Sequence, residues 1–174
     1  MQHILDFNNL SQKLEISEDS EILGVFIIGE HVNVSAKLEI VHKLPNLKSL
    51  TEIKVVLLDH AIFNLEANLQ ILKGAKNTDA YLKISVLMLS DNAKAKAVPA
   101  LEITENEVKG GHGATVGKPN AEQMFYLQSK GFSTMLAKQE IAYGFLAQTI
   151  EKIADTNIKQ NLYMQASNLH ESLD

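Results

Sequence analysis

The chemistry open to this 174-residue chain concentrates in Gly110-Gly111-His112-Gly113-Ala114-Thr115-Val116-Gly117. His112 offers an imidazole, the commonest side-chain metal ligand, and the glycines around it leave room for a cofactor or a second backbone. In an extended segment Gly110, His112 and Ala114 share a face. A second ligand two residues before His112 would therefore converge with it, but that position is a glycine. Glu102, Glu105 and Glu107 could add oxygen ligands, although acidic residues beside a turn are more often solvated. Set against a ligand role is the commoner fate of a lone histidine, a surface or satisfied core position; His42 and His60 carry the same alternative.

Two further readings of the glycines fail. A phosphate-binding loop needs glycine, four residues, then Gly-Lys-Ser/Thr; here His112 stands where the first glycine belongs and Pro119 where the hydroxyl belongs. The dinucleotide fingerprint needs Gly-x-Gly-x-x-Gly, and Gly111, Gly113 and Gly117 are one residue too long. No His-Glu-x-x-His spacing occurs, and no nucleophile–base–acid set can be assembled. These residues do not argue for catalysis, and the chain is not expected to be an enzyme.

Composition narrows the field further. The net charge is −5 and every basic residue except histidine is lysine. Without arginine's bidentate fork a nucleic-acid partner is disfavoured. Cysteine is absent, which excludes disulfides, a thiolate nucleophile and any cluster held by this chain's own sulfur. The longest apolar run, residues 22–28, is too short to span a bilayer, so no membrane partner is expected. The first residues have neither the basic nor the apolar region of a signal peptide, so a cytoplasmic location is expected.

The elements that must position His112 are strands. Val32, Val34, Ala36, Leu38 and Ile40 alternate with polar or small residues, as do Phe63, Leu65, Ala67, Leu69 and Ile71. Period 2 places each set on one face of a half-buried strand. Residues 53–58 and 82–89 are denser apolar runs, predicting strands covered on both faces. Breaks are short and polar, and strands recur every ten to twenty residues with no helical period between them. A mainly β body follows, either solenoid or sandwich by periodicity alone. It spans residues 1–117, the first twenty or so not clearly assigned.

Residues 118–174 read as helical. Asn120 caps a short helix, with Gln123 placed for a capping box, and Gly131 suits its stop. Ser133 caps a longer helix over roughly residues 134–154, with Leu136, Ala137, Ile141, Phe145, Thr149, Ile150 and Ile153 as its apolar stripe. A third helix from Thr156 carries Ile158, Leu162, Ala166, Leu169 and Leu173 as a narrow stripe.

Several blocks together resemble one family. They are Gly74-Ala75-Lys76-Asn77-Thr78-Asp79-Ala80-Tyr81, Leu87-Met88-Leu89-Ser90-Asp91, Pro99-Ala100-Leu101-Glu102-Ile103, Val108-Lys109 with the His112 segment, and Phe125-Tyr126-Leu127-Gln128-Ser129-Lys130-Gly131. In this order they resemble the SufB/SufD family of iron–sulfur cluster assembly proteins, across roughly residues 40 to 151. The His-Gly-Ala-Thr-Val-Gly form and Tyr126-Leu127 look like the SufD branch, in a shortened form.

The resemblance implies a right-handed parallel β-helix core followed by a C-terminal α-helical segment. It implies a scaffold subunit that pairs end to end with a SufB-like subunit, or with a second copy of itself, and docks a SufC-like ATPase through its helical tail. Phe132, Leu136, Ile141 and Phe145 are the expected ATPase contacts. His112 matches the family histidine implicated in the nascent cluster, so it becomes the candidate ligand for iron or a cluster that this chain meets only together with a partner. A cysteine often stands two positions earlier in SufD sequences, where this chain has Gly110. The same resemblance leaves room for an interaction module that docks the ATPase without assembling clusters. A solenoid enzyme acting on sugars or acyl groups would need a carboxylate or histidine constellation not found in the sequence.

Overall fold

A computed structural model describes residues 1–29 and 31–170. The strands are β1 (Gln2–Ile4), β2 (Gln12–Ile16), β3 (Ser20–Ile28), β4 (Asn33–His42), β5 (Lys48–Leu57), β6 (Ile62–Ile71), β7 (Asp79–Met88), β8 (Lys94–Ile103) and β9 (Lys109–Gly117). They form two sheets, a 5-stranded one ordered β1-β3-β5-β7-β9 and a 4-stranded one ordered β2-β4-β6-β8. Every pairing is parallel, and successive strands alternate between the sheets. This is a parallel β-solenoid and not a sandwich, because a sandwich would pair its strands antiparallel. Ser20, Ser49, Ala80 and Gly110 are aligned in successive coils, a repeat of about 30 residues.

The alternation read from sequence is what fills the interior. Leu38, Phe63, Leu65, Ala67, Leu69 and Ile71 from the smaller sheet meet Ile22, Phe26, Ile53, Val55, Leu82 and Ile84 from the larger one in a single core. Val34, nearer the start of β4, packs against that core while partly exposed, and Val32 lies outside the strand on the surface. The N-terminal residues make the first coil: β1 and β2 are joined by a 3-10 turn at Phe7–Asn9, capped by the Asp6 carboxylate, while Leu5 and Leu10 are buried. The corners stack as well. Asn46 and Asn77 both take left-handed backbone angles, and the Asn77 side-chain amide donates to Asn46 Oδ1 at 2.9 Å.

The helices are α1 (Ala121–Ser129), α2 (Thr134–Ile150) and α3 (Thr156–Ser167), with a 3-10 turn at Asn168–His170. Asn120 accepts from the Glu122 and Gln123 amides and Ser133 from the Leu136 amide, as their sequence positions predict. Gly131, at φ 95°, ends α1; its amide donates to Gln128 and that of Phe132 to Leu127, the paired bonds of a Schellman stop. Helices α2 and α3 lie on the outer face of the larger sheet, where Ala142, Leu146, Ile150, Ala166 and Leu169 pack with Val25, Val56, Leu58, Leu87 and Leu89. That second layer explains the dense apolar runs of β5 and β7, which are buried on both faces. Leu173 lies outside the described residues.

A charged cluster also lies under α2. The Lys54 ammonium, buried between β5 and the helix, donates to the Phe145 carbonyl at 2.5 Å and to Gln148 Oε1 at 2.7 Å. Beside it Glu52 accepts from Lys152. Burial lowers the Lys54 ammonium below the usual lysine value, Glu52 opposing the effect. Burial alone would raise the Glu52 carboxyl, but the bond to Lys152 and the nearby Lys152 and Lys54 charges together outweigh it and leave the group below the usual carboxylate value.

Candidate functional site at the open end of the solenoid

His112 lies in β9, the last strand of the larger sheet. Register places it over Leu82, Thr51, Ile22 and His3 in successive coils. Leu82 and Ile22 point into the core, and aligned residues of parallel strands share a face. His112 therefore occupies a core-facing position in a coil with nothing stacked above it, and its side chain is exposed. Beside it the inward positions of β8, Ala95, Ala97, Pro99 and Leu101, are half-buried, where their counterparts one coil below are fully buried. The solenoid ends here on an uncovered layer of its own interior.

The two terminal strands are not equally open. In β8 the Lys94 amide donates to Ala61, and just past the strand the Thr104 amide donates to Ile71, so even-numbered amides face β6 and odd-numbered ones face the free side. Pro99 falls on the free side and has no N–H to offer, a common device for blunting a sheet edge. In β9 the Lys109 amide donates to Thr78, so the amides of Gly110, His112, Ala114 and Val116 face the open side. No strand pairs with that side among the described residues. Of the two strands that end the solenoid here, the one carrying His112 presents the unbroken row of free amides.

The glycines beside His112 do not leave the space expected of them. A Cβ at Gly110 would lie 2.8 Å from Ile103 Cδ1 and 3.2 Å from Ile71 Cδ1. A Cβ at Gly111 would lie 2.7 Å from Cδ2 and Cε2 of Tyr81. The missing side chains are replaced by side chains of the same chain, so these glycines serve internal packing. The sequence reading missed Tyr81, whose only link to Gly111 is register one coil earlier.

The other candidates fall elsewhere. Glu102 accepts from Gln70, Glu107 pairs with Lys76, and Glu105 accepts from the amides of Gly74 and Asn106, so each carboxylate has a partner of its own. Among the described residues no three His, Cys, Asp or Glu side chains are grouped to hold a metal ion. His42 is buried, with Nε2 2.9 Å from Ser49 Oγ and Nδ1 3.3 Å from the Gln70 carbonyl. Burial lowers its imidazole below the usual value, partly offset by the Gln70 carbonyl. It is a satisfied core histidine. His60 is exposed and stacks on His31 with ring centroids 4.6 Å apart. A groove of about 580 Å³ between the first coil and α3, lined by Leu5, Phe7, Phe26 and Ile158, lies at the other end of the larger sheet from His112.

In the helical segment Phe132, Leu136, Ile141 and Phe145 are all half-buried. Ile141 and Phe145 pack partly against the solenoid-facing cluster, and the Phe145 ring lies over the Lys54 ammonium at 4.6 Å. The fully buried stripe of α2 is instead Ala137, Ala142, Leu146 and Ile150. Two strongly exposed apolar side chains are in α1, Phe125 at 73% and Tyr126 at 61%. No helix among the described residues is long and apolar enough to cross a membrane.

A parallel β-solenoid with an open terminal coil, followed by a helical segment folded back on one sheet, defines the class of protein. The comparisons with known proteins agree with it: residues 7–145 match the family described as SUF system FeS cluster assembly, SufBD core domain. The chain belongs to that family. It is 30% identical over 152 residues to an iron-sulfur cluster assembly SufBD family protein of Mycobacterium tuberculosis, covering 83% of this chain and 38% of that protein. It is 37% identical over 102 residues to the iron-sulfur cluster assembly protein SufD of Escherichia coli, covering 59% and 24%. With SufD of Bacillus subtilis the identity is 37% over 89 residues, covering 51% and 20%. The chain thus spans well under half the length of these relatives.

Proposed function

We propose that the chain is a SufD-like scaffold subunit of an iron–sulfur cluster assembly complex, contributing His112 at the junction with a SufB-like subunit or a second copy. The observation that carries this reading is the position of His112: an exposed imidazole on a terminal edge whose row of amides, unbroken by proline, pairs with no strand among the described residues. The nascent cluster is cargo, not a resident cofactor. One imidazole without neighbouring ligands does not suffice to hold a cluster, and the chain has no sulfur donor of the thiolate kind, so the partner must supply it. A histidine ligand also suits release more than storage.

A SufC-like ATPase docks on the helical segment in this reading. Phe132, Leu136 and Ile141 lie along the α1–α2 hairpin, while Phe145 joins that hairpin to the solenoid through Lys54. Movement of the ATPase would reach β5 through this contact. That no three His, Cys, Asp or Glu side chains are grouped to hold a metal ion among the described residues favours the other reading, a docking module that binds the ATPase without assembling clusters.

Co-expression with a cysteine-bearing SufB-like subunit and a SufC-like ATPase, then anaerobic reconstitution with ferrous iron and sulfide, separates the two. His112→Ala should leave folding and partner binding intact and reduce the cluster formed. Undiminished cluster formation would overturn the ligand role and leave the docking module.

A further inference from the structure

We propose that Tyr81 is the positioning residue for His112, holding the terminal strand in place from its outer face. This rests on the reading of His112 given above.

Tyr81 is aligned with Gly111, one coil below it, and both point away from the core. Its ring does not project into solvent but runs up the outer face of β9. The ring edge occupies the place of a Gly111 side chain at 2.7 Å, and Oη lies 3.3 Å from where a Gly113 side chain would begin. His112 stands between these two glycines on the opposite face. One aromatic side chain therefore backs the three residues centred on the imidazole.

The strand needs such a support. Among the described residues β9 pairs with one strand only, β7, and all of its residues but Gly111, Gly113 and Gly117 are exposed. Three glycines in four residues give it high conformational freedom when unsupported. Helices α2 and α3 cover the outer face of the sheet around Val25, Val56 and Leu87, and Tyr81 lies beyond that cover at 45% exposure. An aromatic side chain laid across glycines of the neighbouring strand restores the contact surface those glycines lack.

The geometry also predicts a reciprocal requirement. A methyl group at Gly111 cannot coexist with the ring in its present place, so Gly111→Ala must expel Tyr81. Gly111→Ala and Tyr81→Ala then remove the same contact, and the double variant should be no worse than either single one.

The test has two readouts. Amide hydrogen exchange of the chain reports the strand: Tyr81→Ala should lower protection of the Gly111 and Gly113 amides, which bond to β7, about fivefold. Tyr81→Phe keeps the ring and should restore it. Anaerobic cluster formation with ferrous iron and sulfide in the assembled complex reports His112: Tyr81→Ala and Gly111→Ala should lower the yield while partner binding persists, and Tyr81→Phe should match the parent. Unchanged protection in Tyr81→Ala overturns the proposal. So does an unchanged yield in Tyr81→Ala when His112→Ala abolishes it. If His112→Ala has no effect on yield, the ligand reading itself fails and the positioning role falls with it, whatever the exchange data show about packing.

Discussion

Replacing Gly110 with alanine tests whether the glycines of the terminal strand are there for this chain or for a visitor. In an ordinary extended conformation the change would stabilise by about 0.4–1 kcal/mol, because the unfolded chain loses freedom. Against that, the new methyl would start 2.8 Å from Ile103 Cδ1, 3.2 Å from Ile71 Cδ1 and 3.5 Å from Leu101 Cδ1. Ile71 is fully buried and cannot yield, whereas Ile103, 40% exposed at the end of β8, can move only by giving up its cover of the core. Overpacking of this kind costs about 1–3 kcal/mol, so a net loss of about 1 kcal/mol is expected, with a melting temperature lower by roughly 2–4 °C. Ile103→Val deletes the atom in closest conflict and should remove most of the penalty. A urea-denaturation cycle of the two single variants and the double one should give a coupling of about 1 kcal/mol. Additivity within about 0.3 kcal/mol would refute the packing account. Gly110 would then be free for the approach of another backbone.

Two further outcomes follow from the interior. His42 titrates below its ordinary value of 6.5 when folded, so the unfolded chain binds the extra proton first as pH falls; stability should be full above about pH 6.5 and decline below it, and urea midpoints between pH 8 and pH 5 should show that slope weakened in His42→Gln. Thr51 Oγ1 is buried without a hydrogen-bond partner between Ile22 and Leu82, so Thr51→Val should raise stability by about 1 kcal/mol in the same assay, and a loss would mean that the hydroxyl is satisfied.

The strands were legible because each has a buried side to declare. β4 and β6 alternate since one face meets the core, and β5 and β7 run apolar since α2 and α3 cover the other face. The helix boundaries were legible for a local reason, since Asn120, Ser133 and Gly131 act within their own turns. Parallel stacking was not readable from period 2, which a sandwich shares. The register column Ile22, Thr51, Leu82, His112 has no repeating residue type to reveal it. Of the apolar stripe expected for α2, Ala137, Thr149, Ile150 and Ile153 are buried, while Leu136, Ile141 and Phe145 are only half-buried. The stripe omitted Ala142 and Leu146, which pack with Ile150 against the sheet, where the small Ala142 permits close contact. At the site, the resemblance singled out His112, but nothing local to it could show that Tyr81, about 30 residues earlier, fills the space beside it.

The asymmetry of the open end sets a condition on any partner that pairs with it. Pro99 breaks the row of donors on β8, so a strand laid there would miss a bond near the middle of the pairing, while β9 offers an unbroken alternation from Gly110 to Val116. A strand added to β9 continues the larger sheet at the usual spacing of about 4.8 Å. The incoming residue aligned with His112 would then enter the column begun by Ile22, Thr51 and Leu82, on the side that faces the core. In the proposed complex the partner's sulfur ligand belongs at that aligned position or two residues from it, since only these share the face of His112. A one-residue slip in register would carry the sulfur to the outer face, the side on which Tyr81 lies, and leave the imidazole without a companion. The choice of edge and the register of pairing are therefore as necessary to the proposed site as the histidine.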